Sequence, residues 1–156
     1  MHSLRRFNIR VYGLLINEHQ QLLVSDEVFK NGTLATKFPG GGLELGEGIS
    51  DCLIREFMEE TGIRIALKAH YYTTDFFVQS FFDSESQVIS IYYLVESDEW
   101  RKIHTANKPF ELEIIPGHEA ESFRWVKLHD LPSEKYITLP IDKIVLAKLM
   151  NEFSVG

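Results

Sequence analysis

Residues 55–63 read REFMEETGI and place four charged side chains and one glycine within nine positions of a helical pattern. Three of these side chains are the carboxylates of Glu56, Glu59 and Glu60. On a helix they project into a sector of roughly 100° on neighbouring turns. Like charges at i,i+4 spacing destabilise an isolated helix by about 0.2–0.5 kcal/mol, so we expect a partner that offsets their repulsion.

A divalent cation is the partner that this arrangement favours. Three carboxylates offer hard oxygen ligands of the kind that suits Mg²⁺ or Mn²⁺. Zinc sites use His or Cys ligands, and neither recurs at this spacing in residues 48–61. The alternative interpretation is a solvated helix surface, on which glutamates are common.

The residues around this stretch predict a helix over 48–61. Ile49, Leu53 and Phe57 recur at i, i+4 and i+8, which gives the helix one apolar face. Asp51 falls in the first turn, where a negative charge is favourable, and Gly62 is suited to end the helix.

The rest of the chain predicts strands and a second helix, and we expect a mixed central sheet flanked by helices in a single domain, residues 1–156. RFNIRVYGLLI and QQLLVSDEV should form a hairpin through the polar connection NEHQ. Pro140 suits a first helical turn, and the apolar residues after it predict a helix over 140–153. The further strand predictions cover 64–82, 87–97 and 122–128, with short strands near Lys37 and in FELEII at 110–115.

Composition narrows the function classes. The 156 residues carry a formal net charge of −7, which argues against binding of DNA or RNA duplexes, since that requires clustered Lys and Arg. No stretch approaches the roughly 20 apolar residues of a membrane helix, and no export signal is present, so we expect no membrane interaction. The single cysteine, Cys52, demands no oxidising compartment, so the cytoplasm is the expected location.

A longer pattern encloses the carboxylates. Residues 41–63 fit Gly-x5-Glu-x7-Arg-Glu-U-x-Glu-Glu-x-Gly-U, in which U is a bulky apolar residue. At average residue usage, the chance of this match at any one start is on the order of 10⁻⁹. The stretch resembles the signature box of the Nudix hydrolase family at every defining position. The matching residues are Gly41, Glu47, Arg55, Glu56, Phe57, Glu59, Glu60, Gly62 and Ile63.

This resemblance implies an α/β fold, the Nudix-type α/β/α sandwich, and metal-dependent hydrolysis of a diphosphate bond in a small phosphorylated substrate, commonly a nucleoside diphosphate derivative. By position, Glu56, Glu59 and Glu60 look like the family's Mg²⁺ or Mn²⁺ ligands, together with the backbone carbonyl of Gly40. Glu56 also matches a residue that takes a proton from water in some members. Two further positions, Arg55 and Glu47, match residues that orient these carboxylates and brace the loop.

Family members often add a glutamate from a loop before a late strand, as general base or further metal ligand. In PGHEAESFRWVKL we expect Glu119 to fill this role, with Glu121 as the alternative. A role for the neighbouring His118 is weaker, because a lone loop histidine is more often only solvated. Substrate phosphates could meet Arg5, Arg6, Arg10 or Lys37, and the sequence does not decide among them.

Two other function classes remain open. Some Nudix domains bind a nucleotide metabolite without turnover, although such domains usually lose box carboxylates. Isomerases of allylic diphosphates use a cysteine outside the box, whereas Cys52 lies inside it. The substrate, the number of metal ions and the oligomeric state are left undecided, and a homodimer is compatible with the sequence.

Overall fold

The strand β1 (Arg6–Leu15) lies inside a four-stranded mixed sheet. The structure, a computed structural model, describes residues 3–153. Strand β1 pairs in parallel with β6 (Ser86–Glu96) and antiparallel with β4 (Gly40–Gly42). The sheet is completed by β5 (Ala66–Thr73), which pairs antiparallel with the outer edge of β6. The strand order is therefore β4-β1-β6-β5.

A second sheet has three antiparallel strands. Its central strand, β2 (Gln21–Val28), pairs on one side with β3 (Leu34–Lys37) and on the other with β7 (Ala120–Lys127). Short 3₁₀ helices follow the sheets at Trp100–Lys102 and Leu128–Ser133. Both sheets contribute side chains to one apolar core, which explains how they hold together without sharing a strand.

Both predicted helices are present, as α1 (Ile49–Thr61) and α2 (Pro140–Phe153). The backbone N–H of Gly48 donates to Asp51 Oδ2 at 2.9 Å, which fixes the start of α1. Gly62 adopts a left-handed φ of 77°, and its N–H donates to the Met58 carbonyl, which ends the helix. In the described part of the chain, no helix is long and apolar enough to cross a membrane.

The helices cover opposite faces of β1. Val11 and Leu15 pack with Leu53 and Phe57 of α1, whereas the intervening residues of β1 face the core that contains α2. Gly13 leaves space for Phe57, because a Cβ there would lie 2.5 Å from the ring. Full burial of Phe57 contributes about 1.5–3 kcal/mol. The predicted helix-sheet-helix arrangement is confirmed, although its strands divide into two sheets.

The predicted hairpin between the first two strands is wrong. Strands β1 and β2 belong to different sheets and share only an isolated bridge between Ile16 and Leu22. The physical reason is that both edges of β1 are occupied by β4 and β6, while both edges of β2 are occupied by β3 and β7. The short polar connection NEHQ therefore joins strands of two different sheets and does not close a hairpin.

Two strand predictions also need correction. The strand expected over 64–82 ends at Thr73, and the following segment is irregular apart from a bridge between Gln79 and Gln87. Its phenylalanines, Phe76, Phe77, Phe81 and Phe82, are exposed and have no sheet to cover. No strand forms in 110–115, where Phe110 has a positive φ of 54° and its N–H donates to Asp26 instead of to a neighbouring strand.

A buried ion network fastens the three-stranded sheet. The Asp26 carboxylate on β2 accepts hydrogen bonds from Arg124 of β7 at 2.6 and 3.0 Å and from Thr36 of β3 at 2.8 Å. The remaining guanidinium N–H groups of Arg124 donate to Glu134. Asp26 is fully buried, so its charge depends on these donors.

We expect Arg124→Met to lower the free energy of unfolding by about 3–5 kcal/mol, because it leaves the Asp26 charge buried without its main partner. Chemical denaturation measures this loss. The control Arg5→Met removes an exposed guanidinium 3.6 Å from Glu85 and should cost less than about 1 kcal/mol. Equal losses in the two variants would contradict the importance of the buried network.

Candidate active site

Arg55 offsets much of the repulsion among the helix carboxylates. Its Nη1 donates to Glu56 at 2.9 Å and to Glu59 at 3.3 Å, and its Nε and Nη2 bind the Glu47 carboxylate at 2.9 and 2.7 Å. Nη2 also donates to the Gly42 carbonyl at 3.2 Å, which ties α1 to β4. One guanidinium therefore donates hydrogen bonds to three carboxylates, and its positive charge reduces the repulsion among them.

The same contacts brace the loop before α1. Hydrogen bonds from Arg55, and then from the backbone N–H of Glu44, lower the pKa of Glu47 to about 2. Glu47 is thus held ionised between the loop and the helix. The positions that the sequence assigned to orienting and bracing, Arg55 and Glu47, are in direct contact.

Gly41 allows the backbone of β4 to approach Glu56 closely. A Cβ at this position would lie 2.3 Å from the Glu56 carboxyl carbon and 2.4 Å from one of its oxygens. Any side chain at position 41 would therefore displace the carboxylate. This close approach gives Gly41, the central residue of β4, a specific role in the site.

Four carboxylates from three elements influence one another electrostatically. They are Glu56 and Glu60 of α1, Glu27 of β2 and Glu121 of β7, and we call them the acid group. Burial raises the pKa of Glu60 well above its ordinary value, with further increases from Glu121, Glu56 and Glu27. Partial desolvation of its carboxylate, and then the charge of Glu27, raise the pKa of Glu121 to about 7. The residue as a whole is nevertheless exposed. Strand pairing explains this grouping, because Glu27 of β2 lies directly opposite Glu121 of β7.

The predicted ligand set is only partly brought together. Glu59 is largely exposed and binds Arg55, while Glu56 and Glu60 belong to the acid group. Within residues 3–153, no three acidic, histidine or cysteine side chains are arranged so that they could hold an ion. The donor chemistry nevertheless fits Mg²⁺ or Mn²⁺, since Glu56 and Glu60 supply hard carboxylate oxygens, and a side chain at Gly41 would displace that of Glu56.

The two candidate bases have different neighbours. Glu121 is in β7, acts on Glu60, and lies opposite Glu27 of β2. Glu119 precedes the strand and contributes only a minor effect on Glu121. His118 is also exposed in that loop. Both glutamates are exposed and line the same cleft, so the choice between them stays a prediction.

A cleft of about 1070 Å³ opens beside the acid group. Its floor is the face of the mixed sheet that carries Arg10, Tyr12 and Tyr92, and its opposite wall includes the end of β2 and the start of α2. Phe29 and Phe82 lie at its rim, with ring centres 4.7 Å apart. The cleft thus combines carboxylates, cations and aromatic rings in one cavity.

Comparison with known proteins agrees with this geometry. The family model described as NUDIX domain matches residues 6–148. The chain belongs to the Nudix family. It is 33% identical over 125 residues to an RNA pyrophosphohydrolase of Bartonella henselae, covering 75% of this chain and 69% of the relative. The predicted Nudix hydrolase membership is therefore confirmed.

Two further similarities extend over most of the Nudix chain. An 8-oxo-dGTP diphosphatase of Haemophilus influenzae is 29% identical over 142 residues, covering 90% of this chain and 89% of the relative. A solved NUDIX hydrolase from Nitrosomonas europaea superimposes with a TM-score of 0.67 at 14% identity, covering 94% of this chain and 90% of that one. This structural likeness confirms the Nudix fold.

Sequence reasoning missed several residues of the Nudix cleft. Glu27, Tyr12 and Asp142 all line it, although they lie outside the box. The side chain of Asp142 is buried and accepts a 2.5 Å hydrogen bond from Tyr92. Burial raises the pKa of Asp142 to about 6. The only signal in the sequence that could have found any of these residues was the alternation of side chains along β1, which places Tyr12 on the same face as Arg10.

Cys52 is part of the core of the Nudix domain. It is buried in α1, and its thiol donates weakly to the Gly42 carbonyl at 3.5 Å. Burial, followed by the influence of the neighbouring Glu47 carboxylate, raises the pKa of the thiol to about 12. The thiol is therefore protonated at neutral pH and does not act as a nucleophile.

We expect Arg55→Met to return the pKa of Glu47 from about 2 towards its ordinary value of 4.5, because the first cause of the shift is removed. Since the folded pKa is lowered, the stability that this group contributes is present above the unfolded pKa and is lost as pH falls towards 2. Carboxyl ¹³C NMR measures the titration. An unchanged Glu47 titration in Arg55→Met would contradict the assignment, and Arg5→Met serves as the control.

Proposed function

We propose that this Nudix protein hydrolyses the diphosphate bond of a nucleoside di- or triphosphate derivative with Mg²⁺ or Mn²⁺. The observation that carries the proposal is the juxtaposition, in one cleft, of the acid group with the cations Arg10 and Lys37. A diphosphate needs both, because its own charge must be neutralised while water attacks phosphorus. The relatives named as an RNA pyrophosphohydrolase and an 8-oxo-dGTP diphosphatase support this reaction class.

The carboxylates of Glu56 and Glu60 are the proposed metal ligands, with Glu59 and the Gly40 carbonyl as the further predicted ones. Glu59 would have to exchange its contact with Arg55 to take part. A bound divalent cation would supply neutralisation of the phosphate charge and a lowered pKa for bound water. Arg55 keeps Glu56 oriented towards Gly41 before any cation binds.

The proposed reaction forms one P–O bond from water and breaks the bridging P–O bond, and the bridging oxygen leaves with the released phosphate. The proton of the attacking water goes to a carboxylate at the edge of the acid group. We assign this general base to Glu121, since it lines the cleft beside Glu60 and its pKa of about 7 suits proton transfer at neutral pH. Glu119 is the competing assignment.

Two alternatives have less support. A sensor that binds without turnover has no need for a complete box, and every box carboxylate is present here. An isomerase would need a reactive cysteine, whereas the thiol of Cys52 is buried and protonated. Cytoplasmic location remains a prediction of the sequence.

A phosphate-release screen tests the proposed function. Nucleoside triphosphates, nucleotide sugars, dinucleoside polyphosphates and 5′-triphosphorylated RNA would be incubated with Mg²⁺ or Mn²⁺. Inorganic phosphate would be measured with and without pyrophosphatase for the triphosphates, and with an added phosphomonoesterase for the nucleotide sugars and dinucleoside polyphosphates, whose products are phosphomonoesters. We expect turnover of at least one class and none in EDTA. Binding without turnover across the screen would favour the sensor function.

We expect Glu60→Gln and Gly41→Ala each to weaken Mn²⁺ binding by about tenfold or more in calorimetry. The first removes a ligand, and the second displaces Glu56 while all ligands are retained. Without metal, Glu60→Gln should raise the melting temperature at neutral pH, because the raised pKa of Glu60 means that folding has to protonate this carboxyl, a cost that Gln does not carry.

Glu113→Gln is the matched control for metal binding, since it removes the same charge from an exposed loop. It should leave the Mn²⁺ affinity within about twofold, as surface charges are largely screened. Parental affinity in Glu60→Gln would place the metal elsewhere.

We expect Glu121→Gln to lower kcat by about 10²–10⁴-fold, the usual cost of losing a general base. Glu119→Gln should lower kcat less than about tenfold. Steady-state kinetics on the substrate found by the screen measures both. The reverse order of effects would return the base assignment to Glu119.

A further inference from the structure

Four exposed phenylalanines lie on the loop between β5 and β6. They are Phe76, Phe77, Phe81 and Phe82, and their exposed fractions are 42%, 59%, 68% and 56%. At about 150–250 Å² for a whole aromatic side chain, they present roughly 340–560 Å² of apolar surface to solvent. A patch of this size on a monomer often has a function. It is smaller than the roughly 800 Å² that each partner buries in a stable protein–protein interface, so it favours a smaller occupant than a second copy of the chain.

Two of these rings continue the wall of the cleft. Phe81 and Phe82 line it together with Phe29, whereas Phe76 and Phe77 do not. The ring centres of Phe29 and Phe82 are 4.7 Å apart, and those of Phe82 and Phe81 are 5.1 Å apart. Phe29, Phe82 and Phe81 therefore form a continuous row of three rings in contact, which we call the aromatic track.

The aromatic track begins close to the acid group. Phe29 follows β2 directly and lies two residues after Glu27, so at about 3.3 Å per residue their Cα atoms are about 7 Å apart. Both side chains line the cleft. Phe29 is half-buried, and Phe81 is the most exposed ring of the track. The track thus leads from the carboxylates towards the outer surface.

Backbone hydrogen bonds hold the loop of the track against β6. The N–H of Val88 donates to the Val78 carbonyl at 2.8 Å, and the N–H of Ser80 donates to the Ser86 carbonyl at 2.9 Å. The rings that this loop carries are therefore presented on a fixed backbone. Because the backbone is already ordered, little conformational entropy is lost when a ligand binds to the rings.

Charged residues at the outer end of the track balance one another. Asp83, at the tip of the loop, accepts a hydrogen bond from Arg6 at 2.8 Å, and Glu85 lies 3.5 Å from the same guanidinium. Lys30 is exposed and lines the cleft next to the track. An anionic chain can therefore pass along the rings, although the protein as a whole carries a formal net charge of −7.

We propose that the aromatic track binds the leading bases of a 5′-phosphorylated single-stranded oligonucleotide whose 5′ end enters the cleft. Bases stack on exposed aromatic rings whatever their sequence, and successive bases suit successive rings. The cleft volume of about 1070 Å³ exceeds the roughly 300–1,000 Å³ of small-ligand pockets, which leaves room for more than one nucleotide. Duplexes offer no free base faces for such stacking. The inference rests on the proposed function and names a nucleic acid 5′ end as the substrate class.

Binding of 5′-monophosphorylated oligonucleotides tests the inference without turnover, because these compounds have no diphosphate bond. Adenylates of one to four nucleotides, made as RNA and as DNA, would be titrated into the parent protein with Mg²⁺ in a calorimeter. We expect the affinity to rise about fivefold or more with each of the second and third nucleotides, and little with the fourth, since the track ends at Phe81. The series with the larger gain identifies the sugar that the site accepts better.

Phe81→Leu and Phe82→Leu each remove a ring of the track and keep an apolar side chain. The measured quantity is the ratio of trinucleotide affinity to mononucleotide affinity, since a generally distorted cleft weakens both. We expect the ratio to fall about fivefold or more in each variant. It should change less than about twofold in the matched control Phe77→Leu, which loses an exposed ring of the same loop outside the cleft. Phe82→Tyr keeps a ring that stacks and should retain the parental ratio.

Four results would overturn the inference. They are an affinity that does not rise beyond the mononucleotide, a parental ratio in both leucine variants, an equal fall in Phe77→Leu, and a dimer in analytical ultracentrifugation that Phe81→Leu dissociates, since a second copy would then cover the rings. Failure of the proposed function gives a different pattern, because the affinity would still rise with length while no compound of the substrate screen is hydrolysed. Turnover of nucleoside triphosphates without any gain from length would refute the inference alone.

Discussion

The guanidinium of Arg55 is the interaction on which the site depends. It donates hydrogen bonds to Glu47, Glu56, Glu59 and the Gly42 carbonyl, so it fixes helix, loop and strand β4 to one another. The protein can therefore build its carboxylate helix before any metal binds. Charge that a cation would otherwise have to neutralise is already partly balanced within the fold, and the acid group that remains is Glu60 with its neighbours from other elements.

The cleft carries charged groups of both signs. Its lining includes carboxylates of the acid group, the cations Arg10 and Lys37, and the buried Asp142. Each cluster of like charge is costly in the free protein and becomes favourable when an oppositely charged group lies beside it. Under the proposed function, a metal ion and a phosphate chain would supply these opposite charges.

Local patterns in the sequence were sufficient to predict both helices and to recognise the box. Ile49, Leu53 and Phe57 report the buried face of α1, and Arg55 and Glu47 follow from the motif. Pairing between distant strands was not available from one sequence. Glu27 joins the site only because β2 pairs with β7, and the false hairpin arose because a short polar turn does not reveal which edges of β1 are already occupied. The choice between Glu119 and Glu121 depends on the same pairing, since Glu121 lies opposite Glu27, and it stays a prediction.

The parallel pairing of β1 with β6 has a consequence for how the chain is made. Arg6 and Ser86 are 80 residues apart, yet they begin the same ladder. During synthesis, β1 leaves the ribosome long before its partner and exposes an apolar strand with a free edge. Contacts of such high sequence separation also slow folding. The nascent chain therefore carries a complete box helix before β6 has joined the supporting sheet, and the unpaired edge of β1 is open to other chains during that interval.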